Sequence, residues 1–197
     1  FIGPETPLVA ACRRQNLDAV RVLLELGANA DLHGEGFALP LHLACKFNRM
    51  DLVRMLLVHG ADANLAGPDH DTPLYLACRI YRVDLVRLLI AHGADVNLAY
   101  HYGQSCPLMT ATEEFPASKQ TLLALLEAGA NPTLPCKTWF IGPAAQHSET
   151  IRRIFRKWLT LMVRKYVIGG NAEHPSRNRM NHLAPQVASF LLPKMIY

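Results

Sequence analysis

The sequence predicts an all-α fold, an α-solenoid of four visible helical repeats followed by a helical extension. Three observations predict this fold: a periodic proline, a periodic glycine and a recurring apolar pattern between them. Prolines lie 33, 33 and 34 residues apart, at Pro7, Pro40, Pro73 and Pro107. Glycines lie 33, 33 and 36 residues apart, at Gly27, Gly60, Gly93 and Gly129. Between them, apolar residues recur at spacings of three and four, which is typical of helices with one buried face.

Residues 72–97 show how one repeat forms its first helix. Thr72 is a good N-cap, and Pro73 suits the first helical turn, where its missing N–H has no partner to lose. Leu74, Ala77 and Cys78 then follow at helical spacing. The small residues at 77 and 78 predict a close approach by a neighbouring helix.

The second helix of this repeat is expected to begin at Asp84, because a carboxylate stabilises a helix N-terminus. Gly93 is expected to end it in the left-handed conformation. Its apolar face is formed by Leu85, Val86, Leu88 and Leu89. Such a helix pair buries that face only by stacking on others, so several copies are needed.

The segments TPLYLAC, LPLHLAC, HGADAN and HGADVN resemble the signature of the ankyrin-repeat family, and the period of 33 is also that family's. The resemblance covers about residues 7–131. The fourth copy departs from it, since Thr112 replaces the small cysteine and EEFPAS adds a loop that we expect to project. The segment KTWFIGPAAQHSE is compatible with a degenerate fifth repeat.

The composition is that of a folded protein with an apolar core and without a predicted membrane span. Of the 197 residues, 50% are hydrophobic and 18% charged, which is enough apolar material for a core. The sequence contains no run of about 18 apolar residues, which a membrane-spanning helix would need, and no recognisable signal peptide. The chain opens FIGPE without Met, so we expect a fragment with an earlier repeat before it.

Cys12, Cys45 and Cys78 recur at one position of successive repeats, which indicates a packing role. Equivalent positions in stacked helices lie about 10 Å apart, too far for a disulfide. We therefore expect the thiols to be reduced, which predicts an intracellular protein. The expected location is the cytoplasm, with the nucleus as an alternative.

Catalytic, cofactor and metal sites are not expected. His59 and His92 share one repeat position, and His42 belongs to the TPLH-type motif of the family, so the histidines follow the repeat. No zinc-ligand spacing, nucleophile elbow, phosphate-binding loop or HExxH helix occurs. We also expect neither nucleic acid nor membrane as a partner.

The resemblance implies that a protein partner contacts the hairpin tips and the exposed side of each first helix. The candidates are Arg13, Arg14, Lys46, Phe47, Arg79 and Ile80 on the helices, with His101 and Tyr102 on a hairpin. Arginine and aromatic side chains are enriched in binding hot spots, so an acidic or mixed partner is predicted in a concave groove. The alternative is an ordinary solvated face.

Asn64 and Asn97 lie in the GADxN hairpins, each eight residues after a leucine. The family offers such asparagines to asparaginyl hydroxylases, and the resemblance therefore implies possible modification of both. The alternative is a purely structural turn asparagine.

The charge divides the chain into two parts. Residues 1–136 carry 10 Lys and Arg against 14 Asp and Glu, whereas residues 137–197 carry 10 against 2. We therefore place ankyrin repeats in 1–136 and a basic helical extension in 137–197. Within the extension, residues 151–168 predict one amphipathic helix, which is expected to cap the last repeat.

The extension also resembles, in weaker form, the SOCS box that ends one family of ankyrin proteins and recruits elongins and a cullin. The helix at 151–168 and the segment FLLPKMIY, with Leu192 and Pro193, are in the matching order. No cysteine follows Cys136, where that box has one in a Leu-xxx-Cys element. Two functions remain: a substrate-recognition adaptor of a cullin-RING ubiquitin ligase, or a stand-alone scaffold or inhibitor.

Overall fold

The computed structural model describes residues 5–34, 38–67, 69–99, 106–113 and 119–131. In these residues the chain forms eight α-helices and no strand, and the helices fall into four pairs, here called repeats 1 to 4. In chain order the helices are α1 Pro7–Arg13, α2 Leu17–Glu25, α3 Pro40–Lys46, α4 Met50–Val58, α5 Pro73–Arg79, α6 Val83–Ala91, α7 Pro107–Glu113 and α8 Lys119–Glu127.

The pairs stack side by side, which confirms the predicted α-solenoid. The first helices form one layer, in which α1 packs on α3, α3 on α5 and α5 on α7. The second helices form the other layer, with contacts between α2 and α4 and between α6 and α8. One apolar core runs between the layers through all four repeats, as required of units that cannot bury their apolar faces alone.

The first helices of repeats 1 and 3 begin as the TPL pattern predicts. The Oγ1 atoms of Thr6 and Thr72 accept hydrogen bonds from the backbone N–H groups of Val9 and Tyr75, both at 3.2 Å. Leu39 holds the same position before α3 and makes no side-chain cap. Repeat 2 therefore lacks a hydrogen bond that repeats 1 and 3 possess.

The second helices match the prediction closely. α6 begins at Val83, one residue before the expected Asp84, and Leu85, Val86, Leu88 and Leu89 are all buried. Gly93 follows at φ +87°, and the other three periodic glycines adopt the same left-handed conformation. Glycine has no Cβ to oppose this conformation, so the period of the glycines follows from the helix ends.

The turns between the paired helices use left-handed residues that are not glycine. Gln15, Asn48 and Tyr81 have φ values of 56°, 54° and 56°. In each turn the next N–H returns to the last helical turn, as Asn16 N does to the Ala11 carbonyl at 3.0 Å. Only the asparagine suits this conformation well, and the sequence pattern gave no sign of the other two.

A ladder of side-chain hydrogen bonds joins the repeats at their hairpins. The Asn64 side chain accepts from Asp95 N at 2.7 Å and donates to the Gly93 carbonyl at 3.0 Å. Asn97 repeats both bonds one repeat later, with Asn131 N and the Gly129 carbonyl. Asp31 holds the equivalent position between repeats 1 and 2. Its carboxylate oxygens accept a hydrogen bond from Asp62 N but donate none. Its carboxylate has no proton to donate, so this seam lacks one rung.

Candidate protein-binding surface

The six helix residues predicted to bind a partner lie together, but at the ends of the first helices. Arg13, Lys46 and Arg79 are the last residues of α1, α3 and α5, and each is exposed. Arg14, Phe47 and Ile80 are the next residues, the C-caps. The two sets form a double row along the edge where the paired helices are joined, here called the turn edge. The sequence predicted these residues on the exposed sides of the first helices, and the structure places them at the helix ends; their binding of a partner stays a prediction.

The cations of the turn edge also have a structural role. A positive side chain in the last helical turn interacts favourably with the partial negative charge of the helix C-terminus. Arg13 in addition forms an ion pair with Glu5, with Nε and Oε1 2.9 Å apart. Within the described residues, no ion pair or hydrogen bond engages the side chains of Arg14 and Lys46. These two cations are therefore available to a partner.

Arg49 joins two repeats along the same edge, and sequence reasoning missed it. Its guanidinium makes two hydrogen bonds to the Asp51 carboxylate, at 3.2 and 2.8 Å, and a third to Gln15 Oε1 at 2.7 Å. The hydrogen bonds from Arg49 lower the pKa of the Asp51 carboxyl below its ordinary value. Arg49 is thus held in place by its neighbours. The sequence signal that could have revealed it is the arginine at 49 and 82, at the repeat position where repeat 1 has Asn16.

Apolar surface accompanies the charges of the turn edge. The side chain of Phe47 is 38% exposed, whereas Ile80 is half-buried and packs against the core. The guanidinium carbon of Arg79 lies over the Tyr75 ring, 5.6 Å from its centroid, which is a cation–π distance. The turn edge therefore offers an exposed aromatic ring at Phe47 and a cation–π pair at Arg79 and Tyr75.

The two asparagines predicted as modification sites are the rungs of the hairpin ladder. Both are half-buried, and each uses its amide oxygen and its amide nitrogen in bonds to the following repeat. The structure thus gives Asn64 and Asn97 a clear structural role. Hydroxylation of either residue stays a prediction.

The buried titratable groups of the repeats are suited to packing. The pKa of the Cys12 thiol and that of the Cys45 thiol are raised to about 12 by burial, and burial also raises the pKa of Cys78. Thiols in this state are poor nucleophiles. His42 is buried, and its Nε2 donates to the Asp71 carbonyl oxygen at 2.7 Å. Burial lowers the pKa of its imidazole, which favours the neutral ring.

Several predicted residues lie outside the described residues, namely His101, Tyr102, Leu192 and Pro193. The predicted extension 137–197 lies there entirely, as does the segment proposed as a fifth repeat. Within the described ranges, no three His, Cys, Asp or Glu side chains gather as metal ligands do. No helix in those ranges has the length and apolar character needed to cross a bilayer.

A stack of paired helices with a shared core, joined by a hairpin ladder, defines a protein–protein interaction module of the ankyrin type. The comparisons agree. The family model described as ankyrin repeats in three copies matches residues 3–66 and 41–136. This is more than half of the chain, and the chain belongs to the ankyrin-repeat family.

Among solved structures, the crystal structure of an ankyrin repeat domain from Acinetobacter baumannii AYE is similar to this chain. The two are 28% identical, with a TM-score of 0.69, and the match covers 81% of this chain and 84% of that one. No curated protein sequence matches significantly.

Proposed function

We propose that the turn edge binds an acidic segment of a protein partner, with Arg14, Lys46 and Arg79 as its cations and Phe47 as its apolar anchor. The supporting observation is that the exposed cations Arg13, Lys46 and Arg79 occupy equivalent positions in three successive repeats, with Arg14 next to Arg13. Packed helices lie about 10 Å apart, so the cations are spaced at about that distance. An extended peptide advances about 3.3 Å per residue, so carboxylates three residues apart match this spacing.

The test is a charge reversal with a matched control. The double variant Arg14→Glu and Lys46→Glu changes the turn edge, and Arg21→Glu with Arg54→Glu makes the same change in charge on exposed positions of α2 and α4. Binding of a fluorescent peptide with glutamates at every third position and one aromatic residue is measured by anisotropy at several salt concentrations. Only the turn-edge variant should lose affinity, by about tenfold or more, mainly through slower association.

Equal losses in the two double variants would mean that the peptide responds to overall charge, and the turn edge would then not be the site. Phe47→Ala provides an independent measurement. Because truncating an apolar anchor acts mainly on dissociation, this variant should release the peptide faster without changing the salt dependence. An unchanged dissociation rate would remove Phe47 from the proposed site.

We further propose a finer role as the substrate-recognition adaptor of a cullin-RING ubiquitin ligase, with elongins and a cullin bound by the extension. This proposal is supported by the sequence resemblance of 151–168 and FLLPKMIY to a SOCS box. Changing Leu192 and Pro193 to alanine should abolish a pull-down of elongins and cullin and leave the repeats folded. If the intact protein captures neither elongin nor cullin, the stand-alone scaffold or inhibitor remains.

A further inference from the structure

The second helices of repeats 2 and 3 both begin at an arginine. Arg49 is the N-cap of α4, with φ −96° and ψ 87°, and Arg82 is the N-cap of α6, with φ −93° and ψ 87°. Each is followed two residues later by an exposed aspartate, Asp51 or Asp84. The backbone and the local sequence therefore give the two arginines matching surroundings within their own repeats.

The two arginines nevertheless differ in their side-chain contacts. The Arg49 guanidinium is bound by the Asp51 carboxylate and by Gln15 of the preceding repeat. In the part of the chain that the structure describes, no hydrogen bond or ion pair engages the side chain of Arg82, although Asp84 is two residues away in sequence. Arg49 is thus neutralised by its neighbours, whereas the exposed Arg82 keeps an uncompensated positive charge.

The turn residue of the preceding repeat accounts for this difference. Gln15 occupies the left-handed turn position of repeat 1, with φ 56°, and Asn48 occupies that position in repeat 2, with φ 54°. The side chain of asparagine is one methylene shorter than that of glutamine, so its amide reaches less far toward the arginine of the next repeat. Asn48 Oδ1 is accordingly buried without a hydrogen-bond partner. The seam between repeats 2 and 3 therefore has a guanidinium that no acceptor of its own chain holds.

This unpaired guanidinium belongs to the turn edge. The hydrogen bond from Arg49 to Gln15 shows that the N-cap of a second helix faces the turn of the preceding repeat. Arg82 therefore faces the turn that carries Phe47 and Asn48, and Phe47 is an exposed aromatic residue. An arginine fork forms charge-assisted hydrogen bonds with a carboxylate, which are stronger than bonds between neutral groups. A cation of this kind beside an aromatic ring suits a partner segment in which a carboxylate stands next to an apolar side chain.

We infer that Arg82 binds a carboxylate of the partner at the seam between repeats 2 and 3, while the apolar side chain next to that carboxylate packs on Phe47. The equivalent seam between repeats 1 and 2 takes no carboxylate, because Asp51 already holds Arg49. This inference rests on the proposed function of the turn edge, and it adds the place at which the partner is held. It also makes an acidic residue adjacent to an apolar one the feature by which a partner is selected.

The experiment compares Arg82→Gln with Arg49→Gln, a matched control that removes the same charge from the equivalent position. The probe is the fluorescent peptide with glutamates at every third position, its aromatic residue standing next to a glutamate, and anisotropy gives the affinity. Arg82→Gln should weaken binding by about fivefold, the loss expected for one exposed ion pair. Arg49→Gln should bind the peptide as the wild type does. Urea unfolding of each variant shows that it is folded.

Asn48→Gln provides a second measurement without a change in charge. The longer side chain should bind Arg82 as Gln15 binds Arg49, and it should therefore weaken peptide binding as well. An unchanged affinity in this variant would overturn the explanation from side-chain length.

The inference fails if Arg82→Gln binds as tightly as the wild type, or if Arg49→Gln loses as much affinity as Arg82→Gln. In either case the turn edge itself stands if the double variant Arg14→Glu and Lys46→Glu still loses the peptide. A wild-type protein that does not bind the peptide would overturn the proposed function and this inference together.

Discussion

At the scale of single residues, the hairpin ladder has one hydrogen bond fewer between repeats 1 and 2 than between repeats 2 and 3. Asp31 only accepts a hydrogen bond, whereas Asn64 accepts one and donates another to the Gly93 carbonyl. Asp31→Asn should complete the ladder by donating to the Gly60 carbonyl, the equivalent acceptor. We expect a gain of about 0.5–1.5 kcal/mol in the free energy of unfolding, measured with urea.

The reverse substitution is the control. Asn64→Asp removes the donor of an intact rung and should lower the free energy of unfolding by a comparable amount. If Asp31→Asn gives no gain while Asn64→Asp gives no loss, the ladder contributes nothing to stability and the two residues are ordinary turn residues.

His42 makes stability depend on pH. Its Nε2–H donates to the Asp71 carbonyl, so Nδ1 carries the lone pair, and Nδ1 is buried without a hydrogen-bond partner. Protonation would place a buried N–H there with no acceptor, and burial lowers the pKa of the ring in agreement. Because the folded pKa lies below the unfolded one, stability is full above about pH 6.5. Stability is then lost as pH falls from that value through the folded pKa.

The measurement is the free energy of unfolding from pH 7 down to pH 5, for wild type and for His42→Gln. The wild type should lose up to about 1.4 kcal/mol per pH unit in this window. The glutamine keeps a donor for the Asp71 carbonyl but does not titrate, so the variant should have a flatter profile. Parallel profiles for the two proteins would show that His42 is not the group responsible.

At the scale of helices and turns, a loop closes tightly over α3. A Cβ added to Gly67 would lie 2.7 Å from Cδ2 of His42, closer than real contacts allow. Gly93 differs, since an added Cβ would meet no atom within 4 Å and only its φ of +87° opposes a side chain. Gly67→Ala should therefore cost about 1–3 kcal/mol through overpacking, and Gly93→Ala about 1–2 kcal/mol through backbone strain.

A double-mutant cycle separates the two causes. Because His42→Ala removes the ring, it should make Gly67→Ala nearly harmless and leave the cost of Gly93→Ala unchanged. Additive costs for His42→Ala and Gly67→Ala would contradict the steric explanation. Urea unfolding of the variants provides the measurement.

The helices could be predicted from sequence because each depends on local signals, such as Thr72, Pro73 and Gly93. The turns could not, since Gln15 and Tyr81 adopt a left-handed conformation for which those residues have no preference. The hairpin ladder also escaped prediction. Asn64 and its partner carbonyl at Gly93 are 29 residues apart, and only the stacking of repeats brings them together.

The candidate surface was predicted in part. The six helix residues of the turn edge follow from the repeat period, which places equivalent side chains in rows. Their position at the helix ends required the observed helix boundaries, because α1, α3 and α5 are only seven residues long. The binding of Arg49 to Gln15 spans two repeats and could not be inferred from local spacing.

At the scale of the whole molecule, we propose that the basic extension stabilises the repeats. Residues 137–197 carry a large positive charge and are too few to form a large core of their own. Ending the chain after residue 136 should therefore lower the thermal midpoint of the repeats. The sequence predicts that the apolar face of the 151–168 helix packs on the exposed end of repeat 4, near Leu122, Leu125 and Leu126, and these three leucines are fully buried. A repeat domain that is equally stable without the extension would exclude this role.

We propose that the turn edge is the surface that holds a partner. Site-specific photo-crosslinking in cells tests it most directly, with the crosslinking amino acid placed at Phe47 or at Val58. Both positions are exposed and apolar, but only Phe47 lies on the turn edge. We predict a protein adduct at position 47, on a segment rich in Asp and Glu, that disappears in the Arg14→Glu, Lys46→Glu background. An adduct at position 58 alone, or one at position 47 that survives the charge reversal, would contradict the account.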